Sequence, residues 1–321
     1  MPGLKPDNPF RLRILESPGD MVDVENLQRI VWPGNETDVV PAHLLLAAVH
    51  NGGLVIGVYD VKAYGEEFSK SSFEIQGASE SHSSNLVGFV FGFPGLYKTP
   101  DGPRLKHCSH MLGVHPDYRD KGLGFSLKRA QWQMVRHQGM DLVTWTYDPL
   151  LSRNANLNIA GLGAVCDTYL REAYGEMHDG INEGLPSDRF QVDWWVNSQR
   201  VERRLSKRAR RKLDLAHFLA AEVPILNPTT IGSNGLPRPS QQQAFEQITK
   251  EMGAALLLLE IPADFLTIKP ADPVLAMDWR MHMREYFEGL FQNGYLVTDF
   301  IYLPGTSARS FYVLSHGMST L

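Results

Sequence analysis

The segment His107–Lys128, HCSHMLGVHPDYRDKGLGFSLK, decides how the rest of the chain is interpreted. Its first half is an apolar strand ending at Val114, and a turn then leads into the stretch RDKGLG, Arg119 to Gly124. A helix follows, with apolar residues at helical spacing: Leu123, Leu127, Ala130 and Met134. Glycines at such a junction leave adjacent backbone N–H groups bare at the helix N-terminus. The helix dipole favours an anion there, such as a pyrophosphate.

The spacing R-x-x-G-x-G, at Arg119, Gly122 and Gly124, resembles the acyl-CoA-binding motif Q/R-x-x-G-x-G/A of the GNAT N-acyltransferase superfamily. The preceding VHPDYR is similar to the V-x-P-x-Y-R lead-in of that family. The resemblance implies acetyl-CoA or another acyl-CoA as cofactor, and a glycine-rich helix cap without a ligand is the alternative. A dinucleotide fingerprint is excluded, because it requires a further glycine where Leu127 stands.

Composition limits the class of protein. The chain has 321 residues, enough for two domains, and its 43% hydrophobic and 21% charged content is typical of a globular protein. A formal net charge of −5 argues against nucleic-acid binding. Cys108 and Cys166 are the two cysteines, so no disulfide framework is expected. No signal peptide or membrane-spanning run is evident, and we expect a cytoplasmic protein without membrane attachment.

The predicted order of elements over residues 8–198, β-α-α-β-β-β-α-β-α-β, is that of the GNAT fold. We therefore predict the α/β (α+β) class, with a mixed sheet flanked by helices. The third strand is expected to stop at Pro94-Gly95, and a helix is expected over 151–164. Residues 62–85 are interpreted as a surface hairpin or as a flap over the substrate.

Three segments are predicted: a GNAT acyl-CoA-binding domain (8–198), a basic helix with a Pro/Gly-rich linker (199–240) and a C-terminal α/β half-domain (241–321). Residues 200–212 hold eight basic residues and one acid, and form either a solvated helix face or a site for an acidic partner. The last segment resembles half of a GNAT fold without its CoA motif. Its long helix is predicted to begin at Asp272-Pro273 and to end at Asn293-Gly294, with an apolar face formed by Leu275, Trp279, Met283, Phe287, Leu290 and Phe291. The segment could extend the sheet, cover the acceptor pocket or form a homodimer interface, and the sequence leaves these open.

The resemblance implies roles for backbone and side-chain groups around the motif. The N–H groups of Leu112, Gly113 and Val114 would hold the thioester carbonyl oxygen and stabilise its developing negative charge. The pyrophosphate would contact the amides of Lys121, Gly122, Leu123, Gly124 and Phe125. Candidates to neutralise phosphate charge are Arg119, Lys121, Lys128 and Arg129, and for the last two a solvated surface position is the alternative. Asn154 lies near the asparagine position of the family.

One side chain of the family pattern is absent. Many members have a tyrosine four residues before the glycine of a terminal L-G-F, and here Ile159 stands four residues before Gly163. The catalytic candidates are therefore His110 on the fourth strand, as a base, and Tyr147 and Asp148 at the end of the fifth. Strand alternation predicts that His110 shares a face with Cys108 and Leu112, opposite His107 and Ser109. A structural role is the alternative for each candidate, and no metal site is predicted.

The stretches 147–164, 185–190, 261–265 and 272–287 resemble a two-part subgroup of predicted GNAT proteins. Some relatives in that subgroup are associated with N-acylation of amino acids, including succinylation. An arginine would then receive the amino-acid carboxylate as a planar bidentate partner. Arg153 and Arg189 are the candidates, with Arg280 and Arg284 behind them, and a structural ion pair is the alternative for each.

We therefore predict an N-acyltransferase that moves an acetyl or other short acyl group, such as succinyl, to a small amine such as an amino acid. Two alternatives remain open. The missing tyrosine would suit a non-catalytic acyl-CoA-binding module. The basic segment 200–212 would suit an adaptor for RNA or an acidic protein.

Overall fold

The computed structural model describes residues 9–34, 36–61, 85–175, 184–206, 213–240, 243–251 and 253–317 of the chain. These residues fall into two units, Met1–Met140 and Asp141–Leu321. The boundary near residue 198, taken from the family pattern, and the boundary near residue 240, taken from the Pro/Gly-rich composition, stay predictions. Within the described ranges, no helix is long and apolar enough to cross a bilayer. Of residues 62–85, interpreted above as a hairpin or flap, 62–84 lie outside these ranges.

The first unit is built on four strands, which lie side by side in chain order: β1 (Phe10–Ile14), β2 (Leu54–Asp60), β3 (Leu86–Thr99) and β4 (Gly102–Val114). Each strand pairs antiparallel with the next. The accompanying helices are α1 (Pro18–Val31), α2 (Ala42–His50) and α3 (Leu123–His137). Ser17 and Asp20 form a reciprocal capping box, and with Pro18 at the first helical position they fix the start of α1.

Alternate strand residues face different helices. Val55 and Phe89 pack with residues of α1 and α2. Ile56 and Val90 face the other way and pack with α3. The apolar stripe predicted on α3 is confirmed: Leu123 and Leu127 are fully buried, and Ala130 and Met134 pack against the same cluster. Helices therefore cover both faces of these strands, and the predicted α/β class is confirmed.

The prediction that the third strand stops at Pro94-Gly95 is wrong. β3 continues to Thr99, and Pro94 pairs with His107 of β4. The ladder between β2 and β3 ends at the pair Leu54–Gly92. Pro94 therefore lies beyond the last residue of β3 that pairs with β2. A proline, which has no backbone N–H, is tolerated where the strand no longer pairs with a neighbour on one of its edges.

Among the described residues of the second unit, six strands form its main sheet: β5 (Leu142–Tyr147), β6 (Val165–Leu170), β7 (Arg189–Trp195), β10 (Leu256–Ile261), β11 (Tyr295–Leu303) and β12 (Arg309–His316). Their spatial order is β5-β7-β6-β11-β12-β10, with antiparallel ladders. An isolated parallel bridge between Ile225 and Leu258 makes the hydrogen bonding mixed. Because β11 pairs with β6 at Val297 and Cys166, the C-terminal strands extend this sheet. That is the first of the three roles left open above.

The helices of the second unit are α4 (Ser152–Ala155), α5 (Gln199–Leu205), α6 (Leu215–Ala220), α7 (Ala244–Lys250), α8 (Phe265–Ala271) and α9 (Pro273–Gln292). The long helix α9 begins and ends as predicted, because the Asp272 side chain accepts the Leu275 N–H at 3.0 Å and Gly294 follows the Asn293 cap. Its predicted apolar face is buried at Leu275, Trp279, Met283, Phe287 and Leu290.

Two predicted segments of this unit differ from the structure. The helix expected over 151–164 is a single α-turn, α4, followed by a π-helical segment at Asn156–Gly161. The Pro/Gly-rich stretch 224–240 is packed rather than fully exposed. Leu226 and Asn227 are buried, and a short hairpin of β8 (Thr230–Ile231) and β9 (Pro237–Arg238) offers the Pro237 carbonyl to the Trp279 indole N–H. Composition alone could not show these tertiary hydrogen bonds.

Candidate functional site

The N-terminus of α3 presents bare backbone N–H groups. Gly122, its N-cap, has left-handed dihedrals (φ 74°, ψ 10°), and Asp120 is also left-handed, with φ 63°. The first intrahelical bond is donated by Ser126 N–H to the Gly122 carbonyl at 3.1 Å. The amides before it, Leu123 to Phe125, therefore point out of the helix end. No heavy atom lies within 4 Å of the position that a Gly122 Cβ would occupy, so the approach is open.

The charge around this helix end suits an anion. α1, α6 and α9 each have a side-chain cap, whereas Gly122 supplies none and the first turn of α3 holds no acid. Arg119 and Lys121 are exposed beside the amides, and the Lys121 ammonium lies 4.3 Å from the centre of the Tyr118 ring. A helix N-terminus with unused donors and adjacent cations fits a pyrophosphate.

The lead-in to the motif is a fixed turn. Pro116–Tyr118 form one 3₁₀ turn, and the Tyr118 N–H donates to the His115 carbonyl at 2.9 Å. The Tyr118 ring packs edge-on against Phe10 of β1 and against His115. These contacts fix the position of the glycine loop relative to the strands, and with it the position of Arg119 at the end of the turn.

The end of β4 offers two of the three amides predicted to hold the acyl oxygen. His115 N–H donates to the Val87 carbonyl at 2.9 Å. In an antiparallel pair every second residue bonds the same partner, so the Gly113 N–H also faces β3. Leu112 and Val114 then direct their N–H groups to the other edge of β4. Gly113 is thus corrected from oxyanion donor to packing position, where a Cβ would lie 2.9 Å from Phe89 Cε1 and 3.1 Å from the Trp32 ring.

His110 is the extra residue of a β-bulge. Met111 pairs with Phe91 and Ser109 pairs with Gly92, which leaves His110 without an opposite residue. The bulge breaks the alternation used above, so the prediction that His110 and Leu112 share a face is wrong. Leu112 packs on the α3 side, whereas the ring of His110, an exposed residue, is partly covered by its contacts with Phe91 and Phe93. Partial burial against these rings lowers the pKa of His110, which keeps the imidazole neutral and able to accept a proton.

Lys128 is neither a phosphate ligand nor a surface residue. It is 2% exposed, and its ammonium nitrogen donates to Ser109 Oγ at 2.7 Å and to Gln131 Oε1 at 3.1 Å. Gln131 Nε2 in turn lies 3.1 Å from His107 Nε2. Burial lowers the pKa of Lys128, and burial with the nearby Lys128 lowers the pKa of His107 to about 3. Sequence reasoning missed this cluster, although polar residues at strand spacing (107, 109) and at helix spacing (128, 131) were its signal.

The buried imidazole of His107 predicts an acid-sensitive stability. The unfolded chain protonates this group near pH 6.5, whereas the folded chain does so only near pH 3. Below pH 6.5 protons therefore bind the unfolded state preferentially, and the free energy of unfolding falls by about 2 kcal/mol between pH 7 and pH 5 from this group. In His107→Gln that part of the pH dependence should vanish in urea titrations. The exposed His137→Gln should keep the wild-type pH profile, and equal profiles in all three proteins would contradict the assignment.

In the second unit, Tyr147 is buried in an aromatic core. Its hydroxyl lies 3.2 Å from the Tyr312 hydroxyl, which donates to the Pro149 carbonyl at 2.8 Å. The ring packs edge-on against Phe190. Burial raises the pKa of the Tyr147 hydroxyl well above its ordinary range. These contacts favour the packing alternative for Tyr147.

Asp148 forms a buried, bidentate ion pair with Arg280. One carboxylate oxygen accepts from Arg280 Nη1 and from the Leu150 N–H, each at 2.9 Å, and the other accepts from Arg280 Nη2. Arg189 Nη1 lies 4.0 Å from the same carboxylate and donates to the Asp188 carbonyl at 2.9 Å. The interaction with Asp148 raises the pKa of Arg280 despite burial. Arg280 is therefore a structural partner of Asp148, which the sequence did not indicate.

The remaining acceptor candidates separate by exposure. Arg284 donates twice to the buried Asp188, at 2.8 Å for each bond, which makes it a structural ion pair. Arg153 is exposed on α4, and Asn154 beside it is half-buried. Ile159, at the tyrosine position of the family, is fully buried in the π-helical segment. Arg189 is buried, with its guanidinium 5.6 Å from the centre of the Tyr174 ring.

The described part of the basic segment is bound to the second unit. Val201 and Leu205 of α5 are buried. Arg200 donates to the Gly163 and Thr298 carbonyls, and Arg204 donates to Asp299 at 2.7 Å. Residues 207–212 lie outside the described ranges. Arg200 and Arg204 thus have structural partners, which weakens the adaptor alternative.

No protein-family model and no curated protein matches the chain. Among solved structures, Arabidopsis thaliana NAA60 in complex with acetyl-CoA is similar at 16% identity and a TM-score of 0.42, covering 58% of this chain and 99% of that one. The Escherichia coli ribosomal-protein-S18-alanine N-acetyltransferase is similar at 11% identity and a TM-score of 0.39, covering 59% of this chain and 95% of that one. Salmonella typhimurium YncA with acetyl-CoA is similar at 14% identity and a TM-score of 0.40, covering 60% of this chain and 96% of that one. Likenesses at this level concern the course of the backbone and carry no conclusion about substrate or activity.

Proposed function

We propose that the chain is an acyl-CoA-dependent N-acyltransferase of the GNAT type, with a small amine such as an amino acid as acceptor. The observation that supports this most is the N-terminus of α3. It combines outward-facing amides, a left-handed glycine cap with open space in front of it, and the exposed cations of Arg119 and Lys121. Acyl-CoA, the substrate that carries the acyl group, would place its pyrophosphate on the amides of Lys121 to Phe125.

The proposed reaction is a direct transfer. The amine nitrogen attacks the thioester carbonyl carbon, a C–N bond forms and the C–S bond breaks. The proton that the nitrogen loses as the amide forms goes to the CoA thiolate, which leaves as the thiol. The N–H groups of Leu112 and Val114 would donate to the carbonyl oxygen as it gains negative charge. The neutral His110 imidazole would take the proton that the ammonium must lose before it can attack.

The acceptor is the least constrained part of the proposal. Of the four arginines considered for its carboxylate, Arg280 and Arg284 are engaged in bidentate pairs with Asp148 and Asp188. Arg153 and Arg189 stay as candidates, and Arg153 is the one that solvent reaches. An amino-acid acceptor would present a carboxylate, which a guanidinium binds in a planar, two-bond geometry.

Release of CoA thiol tests the activity. We expect thiol release from acetyl-CoA or succinyl-CoA that depends on an added amino acid or small amine. His110→Ala should lower kcat by at least about tenfold while acyl-CoA affinity is kept, because the base does not bind the cofactor. The exposed His137→Ala is the matched control and should keep the wild-type kcat. Acyl-CoA binding without amine-dependent thiol release would favour the non-catalytic binding module.

A further inference from the structure

We propose that the Lys128 side chain, bonded to Ser109 and Gln131, is a positioning group that fixes the bulge at His110 relative to the helix that binds acyl-CoA. This rests on the proposed function. Lys128 follows Gly124 by one helical turn, and Ser109 immediately precedes His110. One hydrogen bond of 2.7 Å therefore joins the first turns of α3 to the residue before the bulge.

The bonds form a closed ring. Lys128 Nζ donates to Ser109 Oγ and to Gln131 Oε1, and Ser109 Oγ donates to Gln131 Oε1 at 3.0 Å. Three polar groups, each 5% exposed or less, thus satisfy one another across the space between α3 and β4. Two N–H donors are sufficient for the lysine bonds, so the neutral amine can make both of them.

His107 extends the ring and fixes its direction. Because Gln131 Oε1 accepts from Lys128 and Ser109, Gln131 Nε2 is the donor to His107 Nε2. His107 is then the neutral tautomer with its proton on Nδ1, an atom without a hydrogen-bond partner among the described residues. The His107 imidazole lies against Gly92 of β3, where a side chain would not fit, because a Cβ would lie 2.2 Å from His107 Nε2.

Directional bonds explain why a polar group occupies this position. The apolar contacts of Leu123 and Leu127 hold α3 against the sheet, but such contacts are non-directional and permit small shifts along the helix axis. A buried hydrogen-bonded ring allows a single register. That register sets the distance between the amides of the glycine loop and the bulge, where Leu112, Val114 and His110 would meet the thioester.

Lys128→Met tests the proposal, because methionine keeps the length of the side chain and removes its donors. Val135→Ala, at a fully buried apolar position of the same helix, is the control for loss of stability alone. We expect Lys128→Met to lower kcat by at least about tenfold with the KM for acyl-CoA within about twofold. Val135→Ala should leave kcat and KM within about twofold of wild type while lowering the melting temperature.

A second measurement does not need activity. The imidazole of His110 is titrated by NMR in wild type, Lys128→Met and Val135→Ala, with His110→Ala used to assign the signal. If the ring holds the bulge against Phe91 and Phe93, the pKa of His110 should rise towards its ordinary value of 6.5 in Lys128→Met and stay unchanged in Val135→Ala. An unchanged titration in Lys128→Met would overturn the positioning role. Absence of turnover in wild type with the titration shift present would overturn the proposed function and leave the positioning of the bulge supported.

Discussion

Gly124→Trp is expected to weaken acyl-CoA binding by at least about 100-fold, or about 2.7 kcal/mol. Gly124 is the second residue of α3, and its amide is one of those that precede the first intrahelical bond. An indole there would cover the amides of Leu123 to Phe125 and displace the pyrophosphate from the helix end. Isothermal titration with CoA and acetyl-CoA measures the effect at fixed salt, because phosphate contacts with Arg119 and Lys121 are screened by ions.

His137→Trp is the matched control for that variant. It adds the same side chain to the same helix, at an exposed position in the last turn. Its CoA affinity should equal that of wild type. Wild-type CoA affinity in Gly124→Trp would show that acyl-CoA does not bind at the N-terminus of α3. Equal losses in both variants would indicate a general disturbance of α3 rather than a blocked site.

Arg280→Met is expected to destabilise the chain by about 3–5 kcal/mol, the usual effect of removing one partner of a buried ion pair. The variant leaves the Asp148 carboxylate, which is 7% exposed, with the more distant Arg189 at 4.0 Å as its cation. The double variant Asp148→Asn with Arg280→Met removes both charges. It should recover part of the lost free energy of unfolding, because the Asp148 charge is no longer left without Arg280, although the buried Arg189 loses the carboxylate 4.0 Å away.

Urea titrations of the two single variants, the double variant and Arg203→Met complete that cycle. Arg203 is exposed and donates to the Gln199 side chain one turn earlier on α5, so its loss should change stability by less than about 0.5 kcal/mol. We expect thiol release to return with stability in the double variant. A double variant that is stable but inactive would show instead that Asp148 takes part in the chemistry.

The elements that carry strong local signals were predictable from the sequence. The glycine loop, the apolar stripe of α3 and the ends of α9 follow from spacing and caps within about 20 residues, and each is confirmed. Local spacing also indicated His110 as a candidate base on β4, but it could not predict the bulge at this residue. A bulge depends on how two strands pair, and one extra residue reverses the facing of everything after it.

The partners within the buried polar pairs could not be assigned from the sequence. Asp148 and Arg280 are 132 residues apart, and Lys128 and Ser109 lie on different elements that come together only in the fold. Each of these residues had a plausible surface or catalytic interpretation alone. Burial is what makes them structural, because a charge removed from water requires a partner. A one-dimensional pattern does not report burial for isolated charged residues.

Amide chemical shifts on addition of CoA test the central claim most directly. The N-terminus of α3 is proposed to hold the pyrophosphate through backbone N–H groups, and those groups report binding at atomic resolution. The largest shifts are expected at Lys121, Gly122, Leu123, Gly124 and Phe125, with saturation at one CoA per chain. Saturating CoA that leaves these five amides unmoved would contradict the account.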